Sequence, residues 1–174
     1  EKGNAVGSDF CWDVLDGHGY MIRGVHSHIT GCLVLQHCLV VSPEFIPLHG
    51  DHTAGLASLK AAHNAHVIGP AKGGKPIAGV DQQVDDGGYF AFASREVRVL
   101  TTPGHTLDMI NFYLPNEKLV FTGDTLFAMG CGRLFEGDAP MMWASLNKLM
   151  ALPNNTTIYC SHEYTVDNAT FALS

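Results

Sequence analysis

Charge is scarce in this chain of 174 residues: Asp, Glu, Lys and Arg together make up 16% of it. Basic residues are scarcest, with 10 Lys and Arg against 17 Asp and Glu and a formal net charge of −7. A surface with that balance repels phosphate backbones, so nucleic acid is excluded as an expected partner. There are five cysteines (Cys11, Cys32, Cys38, Cys131 and Cys160), and no two form a C-x-x-C pair. Such a set argues against a disulfide framework and for a reducing compartment. Long apolar runs are missing too. The longest, residues 32–41, is broken by Gln36 and His37 and is too short to cross a bilayer. No basic segment precedes an apolar one near Glu1, so no secretory signal is read, and a soluble cytoplasmic protein without a membrane partner is expected. Repeats, charge blocks and low-complexity tracts are absent, so nothing divides residues 1–174 into two domains.

What the chain does have is core-forming residues and histidine. Hydrophobic residues make up 46% of it, enough to bury a core at this length and incompatible with intrinsic disorder. The 19 glycines and 8 prolines require many turns. Residues 31–41 read as a buried strand or a short helix, since periodicity alone does not choose. Residues 54–65 read as a helix, 66–69 as a short strand, 73–78 as a turn region and 95–100 as a strand. Residues 110–114 and 118–122 form an expected hairpin around Pro115-Asn116-Glu117. Residues 141–152 read as a helix, with Pro140 at its start and Pro153 beyond its end, and 156–160 as a further strand. Strands and helices alternate, which points to layered sheet and helix.

Histidine is the unusual component, with ten in the chain. His49-Gly50-Asp51-His52 places two imidazoles and a carboxylate in one turn before the 54–65 helix. Neutral imidazole and carboxylate both suit Zn²⁺. Taken alone, the same residues read as a helix cap and solvated histidines. Three further segments repeat the pattern: Thr102-Pro103-Gly104-His105-Thr106, Phe121-Thr122-Gly123-Asp124-Thr125 and Ser161-His162-Glu163 each follow a strand. Packing does not require a His or Asp at four separate strand ends. Groups that perform chemistry do gather where loops leave one sheet edge.

The motifs TPGHT, FTGDTLF, GCGRLFEG and HEYT, in that order after H-x-D-H, resemble glyoxalase II, the hydroxyacylglutathione hydrolases of the metallo-β-lactamase superfamily. The resemblance runs from about His49 to the end. It implies an αββα four-layer sandwich with a two-zinc site at one sheet edge, and hydrolysis of a small-molecule glutathione thioester such as S-lactoylglutathione by a metal-bound hydroxide. By the same resemblance His49 and His105 bind the first metal, Asp51, His52 and His162 the second, and Asp124 bridges them. Asp51 also orients the hydroxide, which makes Asp51 and Asp124 the expected catalytic pair. Arg133 and Tyr164 stand where the family contacts glutathione, and Phe135 falls where some members have tyrosine. Iron and manganese suit the same ligands. A monomer is expected.

Two departures stand out. The family motif H-x-H-x-D-H would place a histidine at position 47, where this chain has Pro47. Proline ligates no metal, so the first site is expected to be weakened. Residues 17–47 match the family poorly, and His26, His28 and His37 within them read as ordinary packed or solvated histidines. The chain also ends at Ser174, where the family continues into a helical substrate domain, so a catalytic domain alone is the expected unit. Cys131, with no base evident beside it, reads as a small packing residue, and Trp12 and Trp143 as core or rim aromatics. The alternatives are a metallo-hydrolase redirected to another acyl substrate such as a β-lactam, and a catalytically dead metal-binding domain. Against the β-lactamase stands Asp124, where the commonest zinc β-lactamases carry cysteine. Against an iron persulfide dioxygenase stand the hydrolase-branch motifs and Pro47.

Overall fold

A computed structural model describes the backbone of Phe10–Leu15, Met21–His26, Cys32–Leu35 and Cys38–Val41, and residues 56–71, 77–92 and 94–174. The first sheet contains β1 (Phe10–Leu15), β2 (Met21–His26), β3 (Cys32–Leu35), β4 (Cys38–Val41), β5 (His66–Pro70) and β6 (Gln82–Val84), adjacent in that order. The run at 31–41 is thus two strands. β3 and β4 pair antiparallel with Leu35 opposite Cys38, which settles the choice between strand and helix by pairing. Between the parallel neighbours β4 and β5 lies helix α1 (Leu56–His63), as a parallel connection needs a crossover. Lys60 ties this helix to the β6 approach, donating to the Gly79 carbonyl at 2.8 Å and to Asp81 at 2.6 Å.

The second sheet holds β7 (Tyr89–Phe92), β8 (Arg95–Thr101), β9 (Ile110–Leu114), β10 (Leu119–Gly123) and β13 (Thr157–Cys160), in the order β13-β10-β9-β8-β7. The strands β11 (Leu126–Phe127) and β12 (Gly130–Cys131) form a small separate ladder. The expected hairpin at 110–122 is β9 and β10, with Leu114 opposite Leu119.

Alternation along β9 shows how the layers stack. Ile110, Phe112 and Leu114 join Val97, Val99, Phe90 and Phe92 in a cluster with Ile68 and Val84 of the first sheet. That cluster is the interior of the sandwich. The opposite face of β9 presents Tyr113, which packs with Val120 of β10 and with Leu149 of helix α2 (Ala139–Met150). Every residue of β9 is therefore buried, on one side by a sheet and on the other by a helix.

Helix α2 starts two residues before the expected Met141. The Asp138 side chain accepts the Met141 amide at 2.8 Å, and Pro140 occupies the first turn, where no amide donor is needed. Its buried residues, Met142, Ser145 and Leu149, recur on one helical face. A third helix, α3 (Thr165–Ala172), follows β13 and buries none of its residues. No helix of the described residues is long and apolar enough to cross a membrane.

Lys148, in the last turn of α2, clamps the helix to the second sheet. Its ammonium donates to Asp86 at 2.8 Å and to the Thr101 carbonyl at 2.7 Å, while the Thr101 amide donates to Asp86 at 2.8 Å. Partial burial pushes the Asp86 carboxyl up, but the Lys148 and Thr101 hydrogen bonds outweigh it and hold the group below the usual aspartate range. A depressed folded-state value makes this contribution fully present above about pH 4 and lost as the pH falls through that lower value. Asp86→Asn is expected to lower stability at pH 7 by about 0.5–1 kcal/mol, the range for a half-exposed ion pair. Urea unfolding of parent and variant should show this difference shrinking towards pH 3.

Candidate metal centre

The topology aligns three strand ends. β10 and β13 are parallel, and β8 and β10 each run antiparallel to β9, so β8, β10 and β13 all point the same way. Their carboxyl ends share one edge of the sheet, and the segments leaving them carry His105, Asp124 and His162.

Asp124 is the centre of the group. It is 5% exposed, and its two carboxylate oxygens face two different imidazoles. His105 Nε2 lies 3.5 Å from Oδ2, and His162 Nε2 lies 3.4 Å from Oδ1. Both separations are longer than a good N–H···O hydrogen bond. Ser161 Oγ donates to Oδ1. His105 Nδ1 is 2.7 Å from the Arg133 carbonyl, which only accepts, so Nδ1 donates its proton there and Nε2 is the nitrogen left facing Asp124. His162 is stacked on Tyr164, with ring centroids 5.2 Å apart, and Phe127 meets the Tyr164 ring edge-on.

Among the described residues no three His, Cys, Asp or Glu side chains converge on one point. The arrangement is instead two pairs meeting back to back at one carboxylate. A buried carboxylate with one imidazole nitrogen beside each oxygen fits a bridging ligand between two cations, and neutral imidazole and carboxylate are donors that zinc, iron and manganese accept. His49, Asp51 and His52, with Pro47, lie outside the described residues, as do His28 and His37.

The GCGRLFEG segment works differently from the sequence expectation. Arg133 was expected only as a substrate contact, yet its carbonyl orients His105. The segment continues as a strap over the His105 loop. The Phe135 and Glu136 amides both donate to the His105 carbonyl, at 3.1 and 3.3 Å, and the Gly137 amide donates to the Gly104 carbonyl. Glu136 accepts the Leu107 amide at 2.9 Å. Such proximity explains the glycine before Arg133. A Cβ on Gly132 would stand 1.9 Å from the Asp124 carbonyl oxygen and 3.0 Å from His105 Nδ1. Gly104 meets the same constraint from α2, because a Cβ there would lie 2.9 Å from Met142 Cα. Ser145 of α2 secures the loop further by donating to the Pro103 carbonyl at 2.6 Å.

The rim of the site is exposed and aromatic. The Phe135 ring meets the His105 ring edge-on at 5.0 Å, and the Arg133 guanidinium sits 5.8 Å from the Phe135 centroid. Tyr164 is 44% exposed on the opposite, His162 side. Cys131, expected to be a small packing residue, is instead exposed on the two-stranded β11–β12 ladder. Trp143 is a rim residue, mostly exposed on α2.

The chain matches the Metallo-beta-lactamase superfamily over residues 48–162 and belongs to it. Among named relatives, the hydroxyacylglutathione hydrolase of Brucella anthropi is 52% identical over 126 residues, covering 72% of this chain and 48% of that protein. The hydroxyacylglutathione hydrolase of Rhodopseudomonas palustris is 48% identical over 178 residues, covering 91% of this chain and 67% of that protein. The chain thus spans about half the length of the Brucella relative. Of solved structures, ETHE1 from Myxococcus xanthus aligns with a TM-score of 0.57 and 34% identity, over 63% of this chain and 48% of that one. TTHA1623, determined in a di-iron-bound form, aligns with a TM-score of 0.64 and 23% identity, over 89% of this chain and 87% of that one. These likenesses agree with the two facing sheets described above.

The close approach at Gly132 yields a test. Gly132→Ala should destabilise the protein by about 2–3 kcal/mol, since the clash is with the Asp124 backbone and the His105 ring rather than a flexible side-chain end. Gly87→Ala, at φ +73° with no atom within 4 Å of the added Cβ, should cost only about 1 kcal/mol of backbone strain. Urea denaturation of both variants checks the order, and equal losses would show that the Gly132 contact is relieved by movement.

Proposed function

We propose that residues 1–174 form a catalytic domain that hydrolyses a glutathione thioester of the S-lactoylglutathione type, with zinc as the resident metal. The observation that carries the reading is the division of the Asp124 carboxylate between His105 and His162. One side of Asp124, with His105 and His49, would hold the first ion, and the other side, with His162, Asp51 and His52, the second. Bound there, the ions supply an acidified water at neutral pH and a Lewis acid for the thioester carbonyl.

The remaining work falls to the chain itself. The Arg133 carbonyl keeps His105 in one tautomer and orientation, so its Nε2 is always presented to the site. Asp124, with its carboxylate fixed between two rings, prevents the halves from drifting apart. The exposed Arg133 guanidinium offers a cation for the carboxylates of glutathione, and the Tyr164 hydroxyl offers a polar contact from the opposite rim. In the reaction water adds at the acyl carbon, the carbon–sulfur bond breaks, and a carboxylic acid and a thiol leave.

Asp124→Ala is expected to abolish thioester hydrolysis and to lower bound zinc per chain, measured by thiol release and elemental analysis. Undiminished turnover in that variant would end the proposal, and a parent that binds zinc without turnover would favour a dead metal-binding domain. Pro47→His should raise both zinc content and rate, with a gain in affinity of about tenfold or more for the first ion.

A further inference from the structure

Behind the site lies a buried polar cluster that the sequence reading did not single out. Thr102, Asn111, Thr122 and Thr125 are all 0% exposed, and they come from three different segments. Thr102 follows β8 and precedes His105 by three residues. Thr122 and Thr125 flank Asp124 in the turn closed by the Thr125 amide and the Thr122 carbonyl at 2.9 Å. Asn111 belongs to β9, between them. It faces the α2 side, opposite to its neighbours Ile110 and Phe112 of the sandwich interior.

The carboxamide links both ligand-bearing segments. Asn111 Nδ2 donates to the Thr122 carbonyl at 3.1 Å, and since a carbonyl only accepts, the amide orientation is fixed. Asn111 Oδ1 then faces the Thr102 hydroxyl at 2.8 Å and the Thr125 hydroxyl at 3.2 Å. The Thr102 and Thr125 hydroxyls lie 2.9 Å apart, and a bond between them uses only one of their two protons, so Asn111 Oδ1 is the acceptor for the other; the Thr122 carbonyl also accepts the Thr125 amide. What Asn111 adds is a three-way tie between the end of β8 and the Asp124 turn.

We propose that Asn111 is a positioning residue: it fixes the separation of the His105 loop from the Asp124 turn and thereby sets how tightly the site holds a divalent metal. The inference rests on the metal-site reading above. The test compares the parent with Asn111→Ala, the isosteric Thr102→Val, the hydroxyl-retaining Thr102→Ser, and Val97→Ala, a core substitution remote from the cluster. Zinc affinity is measured by chelator competition, and coordination by the visible spectrum of the cobalt(II)-loaded protein. Asn111→Ala and Thr102→Val should each weaken zinc about tenfold and alter the cobalt spectrum, the effect expected when an outer partner of a ligand is lost. Thr102→Ser should stay within about twofold of the parent, and Val97→Ala should lower the unfolding midpoint with zinc affinity unchanged. Parent-like zinc affinity and an unaltered cobalt spectrum in Asn111→Ala would overturn the proposal while leaving the metal site standing. If the parent binds neither ion, the metal reading fails, and amide NMR shifts of the metal-free protein decide the positioning role. Coupled shifts at His105 and Asp124 in Asn111→Ala but not in Val97→Ala support it, and their absence overturns it.

Discussion

The structure turns on one buried carboxylate shared between two imidazoles from distant parts of the chain. Removing Asp124 from water is costly unless its oxygens find partners. Ser161 donates to Oδ1, and the Nε2 atoms of His162 and His105 lie 3.4 and 3.5 Å from the two oxygens; all three residues come from segments other than that of Asp124 itself. The sheet order makes the meeting possible. With β8, β10 and β13 running in one direction, three strand ends reach the same edge, and short loops suffice to bring their side chains together. An antiparallel β13 would send His162 to the far end of the sheet.

The two halves of the site are supported by different means. On the His105 side the support is mostly backbone: the 133–137 strap holds the loop through three amide hydrogen bonds, the Arg133 carbonyl and the Glu136 carboxylate, and α2 packs against it at Gly104 and bonds it through Ser145. On the His162 side it is aromatic, with Tyr164 stacked on the imidazole and Phe127 against Tyr164.

Much of this was legible in the sequence where residues sit at strand ends. His105, Asp124 and His162 each follow an apolar run, and that repetition pointed to a common edge before any coordinates. The hairpin at 110–122 and the helix at 141–152 were equally readable, because Pro115-Asn116-Glu117 punctuates the one and Pro140 and Pro153 bound the other; the Asp138 cap was not. Two further features were not. Helix α3 has β-branched residues at Thr165, Val166 and Thr170 and buries none of its side chains, so it carries little amphipathic signal. The Asn111 cluster is invisible for a different reason: a polar residue within an apolar strand looks like an interruption until its partners from β8 and β10 are known. The strap was visible as a motif but not as a support, since its work is done by backbone groups that every residue has.

This last point bears on how motif residues are to be interpreted. Arg133 has two separable parts: a carbonyl that orients His105 and an exposed guanidinium on the rim. Any residue at 133 supplies the carbonyl, whereas only Arg supplies a planar cation there. Gly132 has no such substitute, because its missing Cβ is what lets the strap come within reach of both Asp124 and His105. The glycine therefore serves the packing around Asp124 and His105, and the arginine presents its cation to solvent. Adjacent positions in one motif answer to different demands, so the side chain at 133 can change without disturbing the geometry that 132 protects.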